Sequence, residues 1–163
     1  MFSNAVTDII QDCDHENLQQ QLRSICEVVY NKLNEHLNNP SLMGHLNKEQ
    51  QEILMNNWNS VLQPLIVRMG TSAIDDNMLG AFVQIAVGSF HRAQRVTSGG
   101  IFVLQGLTSA VEHRIEPHIS QFIDFLTCSL RMQESDEMST RLSAGLISDI
   151  SNSIGDGFVR YLP

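Results

Sequence analysis

Apolar residues recur at spacings of three and four along nearly the whole chain, and nowhere do they alternate with polar residues long enough to mark a strand. Leu18, Leu22, Ile25, Cys26, Val29, Leu33 and Leu37 predict a first helix from about Glu16 to Leu37, ended by Asn38-Asn39-Pro40. A polar, turn-rich connection over 38–48 leads to a second helix carried by Leu54, Trp58, Val61, Leu62 and Leu65, kinked or shortened at Pro64 and ending near Gly70. Asp75 or Asp76 caps a third, with Leu79, Phe82, Val83, Ala86 and Phe90 facing inward. Thr97 or Ser98 opens a fourth, with Val103, Leu104, Leu107 and Val111 inward. Pro117 is placed to start a fifth, with Ile119, Phe122, Ile123, Leu126 and Leu130. After Glu134-Ser135-Asp136-Glu137 comes a sixth, with Leu146, Ile147, Ile150 and Ile154. The first dozen residues leave room for another short helix.

The helices are copies of one another in pairs. A shift of about 40 residues carries the inward set of the third helix, Leu79, Phe82, Val83, Ala86 and Phe90, onto Ile119, Phe122, Ile123, Leu126 and Leu130. A shift of about 43 carries Val103, Leu104, Leu107 and Val111 onto Leu146, Ile147, Ile150 and Ile154, and Ile115 onto Phe158. A two-helix unit of that length lies in the HEAT and armadillo range. The expected architecture is therefore an all-α superhelix, a HEAT-repeat solenoid forming one domain over 1–163. Its units are 16–70, with the long linker at 38–48, then 75–113 and 116–154. The closing "GFVRYLP" reads as the first turn of the next unit at 157–163, so the array is expected to continue beyond it. On that reading Phe158→Asp is nearly silent in this chain.

Composition narrows the class. With 163 residues, 42% of them apolar, and only 4 Pro, the chain can bury a core. Ten Lys+Arg against 18 Asp+Glu leave a formal charge of -8, a field that repels nucleic-acid phosphates and anionic lipid and attracts basic partners. The three cysteines, Cys13, Cys26 and Cys128, make no CxxC pair and no even set, which favours a reduced, intracellular setting. No apolar run approaches the ~20 residues that span a bilayer, and no secretory leader is visible.

The wording of the last units is itself informative. "SAGLISDISNSIGDGFVRYLP" over 143–163, with "IEPHISQFIDFLTCSL" before it, resembles the HEAT repeats of the importin-β (karyopherin-β) nuclear transport receptors, most closely over 97–163. The matching positions are Gly145, Ile147, Asp149 and Ile150 on the inner helix, then Phe158 and Tyr161 after a glycine-containing turn. The linker at 38–48 also looks like one in that family's C-terminal half. The chain departs from the family in lacking tryptophans on the fourth and sixth helices and in its Asn/Gln-rich second helix. The resemblance implies outer helices on a convex face and inner helices on a concave, acidic one. It also implies protein partners: basic nuclear-localisation cargo or an importin-α-like adaptor, Phe-Gly nucleoporins, and a Ran-type GTPase whose GTP form releases cargo. The setting implied is cytoplasm, nucleus and nuclear pore, without membrane insertion.

Four residues are candidates for protein binding. Asp149 lies between core positions of the sixth helix and can face the concave side. Glu112 stands at the C-terminal end of the fourth helix, where the dipole disfavours an anion unless a cation such as Arg114 is near. Trp58 could stack on a basic or aromatic ligand, although its spacing to Leu54, Val61, Leu62 and Leu65 puts it in the packed stripe. Phe125, one step off its helix's stripe, could edge the groove between the third and fifth helices, where a Phe-Gly side chain would slot. Glu49 and Glu52 read as solvated charges. No catalytic, cofactor or metal constellation is legible. His113 and His118 are not on one helical face, Gly99-Gly100 lacks the lysine of a phosphate loop, and no cysteine has a basic neighbour. The chain is therefore expected to be no enzyme and to act by binding. A HEAT scaffold subunit of another complex, such as a protein phosphatase, and a closed helical bundle are the rival readings.

Overall fold

The computed structural model describes residues 19–131 and 137–161. Cys13, His15, Leu18, the short helix anticipated in the first dozen residues and the Glu134-Ser135-Asp136 turn lie outside them. Among the described residues there are six α-helices: α1 (Gln19–Asn38), α2 (Lys48–Ala73), α3 (Asp76–Ala93), α4 (Ser98–Val111), α5 (Ile123–Arg131) and α6 (Glu137–Ile154). Three tighter 3-10 segments, Pro40–Met43, Glu112–Gln121 and Gly155–Tyr161, connect or extend them. Among the described residues there is no strand.

On α1 the stripe Leu22, Cys26, Val29 and Leu33 is buried, whereas Ile25, expected inward, is 42% exposed. One residue along a helix turns the side chain by ~100°, so the 22/26/29/33 seam excludes Ile25. The 38–48 linker is pinned rather than loose. Met43 is buried in it, and Gln51 Nε2 donates to the carbonyls of Met43 (3.0 Å) and Leu46 (2.9 Å).

Asn47 and Gln50 then form a reciprocal capping box that starts α2, with Gln50 N to Asn47 Oδ1 at 2.8 Å and Asn47 N to Gln50 Oε1 at 3.0 Å. Val61, Leu62 and Leu65, predicted inward, are buried on α2 together with Met55, Asn59, Ile66 and Met69, and Leu54 and Trp58 are only half-buried. The bend expected at Pro64 falls instead at Gly70, whose φ of 65° and ψ of -178° no other residue of α2 shares. Without a Cβ, glycine enters that region at little cost.

Asp75 caps α3 by accepting from Met78 N at 2.8 Å, and Thr97 caps α4 by accepting from Gly100 N at 3.2 Å. Every inward residue predicted for these two helices is buried. The fifth helix corrects the expectation: Pro117 does not open it, because residues 112–121 wind as a 3-10 stretch and α5 begins only at Ile123. Pro117 has no N–H to donate back along the turn, and Phe122 at φ -133° breaks the winding. Leu130, expected inward, is 43% exposed near the end of this shortened helix. Phe158 is the other correction. It is buried at 6% exposure on the Gly155–Tyr161 segment, so its replacement by a charge cannot be silent.

The pairs α1–α2, α3–α4 and α5–α6 pack side by side, with α2, α4 and α6 in sequence as one layer and the most extensive seam between α2 and α4. In the other layer α1 meets α3, while the 112–121 stretch and Phe125 bring the third unit against α3. This is a helical-repeat solenoid. Its side-chain bonds are repeat-like too: Gly99 N to Asn56 Oδ1, Arg114 to Asp76, Gln84 to Gln121 and Tyr161 to Glu116 O span 43, 38, 37 and 45 residues, about one unit each. The backbone repeats as well, because Gly70, Glu112 and Gly155 all hold positive φ (65°, 50° and 57°) at the ends of α2, α4 and α6.

Close approach of α2 and α4 depends on two glycines one heptad apart on α4. A Cβ on Gly99 would lie 2.8 Å from Asn56 Cα, and one on Gly106 would lie 3.2 Å from the Gln63 carbonyl oxygen. Gly99-Gly100, unremarkable as a phosphate loop, is thus a packing feature.

Candidate protein-binding surface

The four candidates sit on four different elements, and among the described residues no hydrogen bond or ring contact joins any two of them. Asp149 is exposed on α6, and its carboxylate is unpartnered among the described residues; the neighbouring Ser153 hydroxyl uses only the Asp149 backbone carbonyl, at 2.9 Å. Glu112 is exposed and caps α4 with its N–H bonded to Thr108 O. The cation expected beside it is committed elsewhere. Arg114 pairs with Asp76 at 2.6 Å and donates to Thr71 O at 3.2 Å. Among the described residues the Glu112 carboxylate has no partner, and its backbone holds a positive φ where the other two units have glycine.

Trp58 is half-buried against the core, as its spacing suggested. Phe125 does edge the α3–α5 seam, but its ring is already packed, 5.5 Å from Phe90 and edge-on to His91 at 4.9 Å. A more open groove lies between α1 and α3. It holds about 370 Å³ and is walled by Tyr30, Met78, Ala81 and Phe82, with Arg23 and Asp75 at its rim. Tyr30 meets Phe82 edge-to-face at 6.0 Å, so the groove has an aromatic floor suited to another ring. Phe82 is buried, as the i, i+3, i+4 pattern placed it, and Tyr30 is the half-buried ring of the pair.

A larger cavity, about 530 Å³, opens where the start of α2 meets the ends of α1 and α3. Arg92 crosses its wall, donating to His36 O (2.9 Å) and Gln51 Oε1 (2.7 Å), which ties all three helices together. Glu52, read from sequence as solvated, is instead paired with Arg95 at 2.5 Å; Glu49 is exposed. These bonds cross 41 to 56 residues, beyond any local pattern.

Burial, with a smaller contribution from Glu27, pushes the Cys26 thiol up to about 12, so it stays protonated and is no nucleophile. Lys32 beside Glu35 lowers that exposed carboxyl, first through a 2.8 Å hydrogen bond and then through its charge. Among the described residues no cluster of His, Cys, Asp and Glu could hold a metal, and no helix is long and apolar enough to cross a membrane.

The chain's paired helices, its unit of about 42 residues and its recurring positive-φ turns accompany a direct family match. The family model described as importin subunit beta-1-like, TPR repeats, matches residues 3–163. The chain belongs to this importin-β-like family. The match covers nearly all of the chain, including the weaker first unit, and the resemblance read from residues 143–163 is thereby confirmed. Although the family's description speaks of TPR repeats, the spacing here is the longer one typical of HEAT units. Searches of curated proteins and of solved structures return no significant match. Membership of an importin-β-like repeat family implies protein partners in general.

Proposed function

We propose that the chain is a binding segment of a nuclear transport receptor, carrying proteins between cytoplasm and nucleus through the nuclear pore. It takes basic cargo signals or an importin-α-like adaptor on the α2–α4–α6 layer, binds Phe-Gly nucleoporins in grooves of the α1–α3–α5 layer, and responds to a Ran-type GTPase. It acts by binding, without catalysis or cofactor. The observation that carries this reading is the family match over 3–163 on an open two-layer array. Supporting it are the net charge of -8, the exposed carboxylates of Asp149 and Glu112, and an α1–α3 groove floored by Tyr30 and Phe82. Several weak docking points along one array add through effective concentration, which suits a carrier that must bind and release repeatedly.

The test is retention of the full chain on immobilised Phe-Gly peptide and, separately, on a basic nuclear-localisation peptide, each with and without the GTP-bound transport GTPase. Retention on both, with the basic peptide released by the GTPase, is the expected result. Passage through both columns unretained would end the transport reading.

A further inference from the structure

The larger cavity has a charge opposite to that of the molecule. Three of the chain's ten Lys and Arg residues gather there, Lys48 and Arg92 in its wall and Arg95 beside it. Glu52 is the acid among its lining residues, and Arg95 already neutralises it. Glu49 is exposed outside the lining, and Glu35, next to His36, is taken by Lys32. That leaves two positive charges unanswered. Lys48 has no partner among the described residues, and Arg92 is bonded to two neutral oxygens, which uses two of its five N–H donors. A half-buried guanidinium facing only neutral acceptors has most of its attraction for a carboxylate still to spend.

The polar groups beside the two cations narrow the anion. Gln51 is fully occupied, by Met43 O, Leu46 O and Arg92. Asn56 uses its Oδ1 on Gly99 N, so its Nδ2 donor is free, and Gln94 uses its Nε2 on His91 O, so its Oε1 acceptor is free. The Asn56 amide N–H donors and the Gln94 acceptor match the C=O and N–H of a peptide unit. A phosphate group, which at neutral pH chiefly accepts, would make no use of Gln94 Oε1 and would bring a double charge toward Glu52. We propose that this seam cavity receives an acidic peptide segment of a protein partner, a Glu or Asp carboxylate meeting Lys48 and Arg92 while Asn56 and Gln94 meet its backbone. Such a partner differs in sign from the basic cargo proposed above, so the two can occupy the array together.

The probe is a fluorescein-labelled, end-capped, Glu-rich hexapeptide titrated with the full chain and read by anisotropy, beside its Gln analogue and inorganic phosphate as a competitor. Binding of the Glu peptide should weaken as salt rises, and the Gln analogue should bind about tenfold more weakly. Lys48→Glu should cost the Glu peptide about tenfold in affinity. That side chain is exposed at a helix N-terminus, where an acid is favoured, so the melting temperature should not fall. Lys48→Gln should act in the same direction by a smaller factor. Equal binding of the Glu and Gln peptides, no binding of either, or indifference to both Lys48 variants would overturn the proposal. So would displacement of the Glu peptide by low millimolar phosphate, which would mark a small-anion site instead.

Discussion

Glu112 is the residue at which backbone and chemistry disagree. Gly70 and Gly155 occupy the equivalent turn in the other two units with positive φ at little cost, whereas Glu112 adopts φ 50° and ψ -124° with a Cβ in place. A non-glycine residue in that region costs roughly 1–3 kcal/mol, and no hydrogen bond of its carboxylate among the described residues offsets it. Glu112→Gly should therefore stabilise the fold by about 1 kcal/mol, after allowing for the looser unfolded chain, seen as a higher urea midpoint. Glu112→Gln keeps the strain and removes only the charge. If this carboxylate meets basic cargo, both variants should lose several-fold affinity for a basic peptide while only the glycine variant gains stability. A glycine variant no more stable than the parent would show that the strain is not real.

At the scale of the element, what sequence reading could and could not see has a physical pattern. Positions decided by a local period were legible: all predicted inward residues of α3 and α4 are buried, and the caps at Asp75 and Thr97 are where short polar side chains precede apolar runs. Positions decided by a neighbouring unit were not. Ile25 and Leu130 fit a helical period yet face away from the seam, Phe125 is filled by Phe90 and His91, and Arg114 reaches Asp76 rather than Glu112. The cavity at the start of α2 was invisible for the same reason, since it is built from side chains of three helices brought together across as many as 56 residues. Gly99 is the sharpest case, because its missing side chain matters only once α2 lies against it. Gly99→Ala should push α4 from α2 and cost about 2 kcal/mol. Gly80→Ala, whose new Cβ would sit 3.7 Å from His118 Cε1 in ordinary contact, should be neutral or stabilise α3 by up to about 1 kcal/mol. Thermal denaturation of the two variants side by side checks the pair, and equal effects would mean that the α2–α4 seam is not close-packed at Gly99.

For the whole molecule the question is whether the units share one closed core or pass stability from neighbour to neighbour. The ion pairs argue for the second. Arg23 with Asp75, Asp76 with Arg114 and Glu116 with Arg160 form successive steps along one edge, each joining a unit to the next. Exposed pairs of this kind add little energy singly, but they recur in order along the chain, one after another. Phe158 makes the distinction measurable. It occupies in the last described segment the place that Ile115 occupies one unit earlier, and both are buried. Phe158→Asp deletes a buried ring and places a carboxylate at a buried site, a loss of about 3–5 kcal/mol there. In a nearest-neighbour array the loss stays local, so amide hydrogen exchange should quicken strongly in α6 and the 112–121 stretch while α1 and α2 keep their protection. If α1 and α2 lost protection in step with α6, the helices would be sharing a single cooperative core, and an open array able to flex around successive partners would have to be given up.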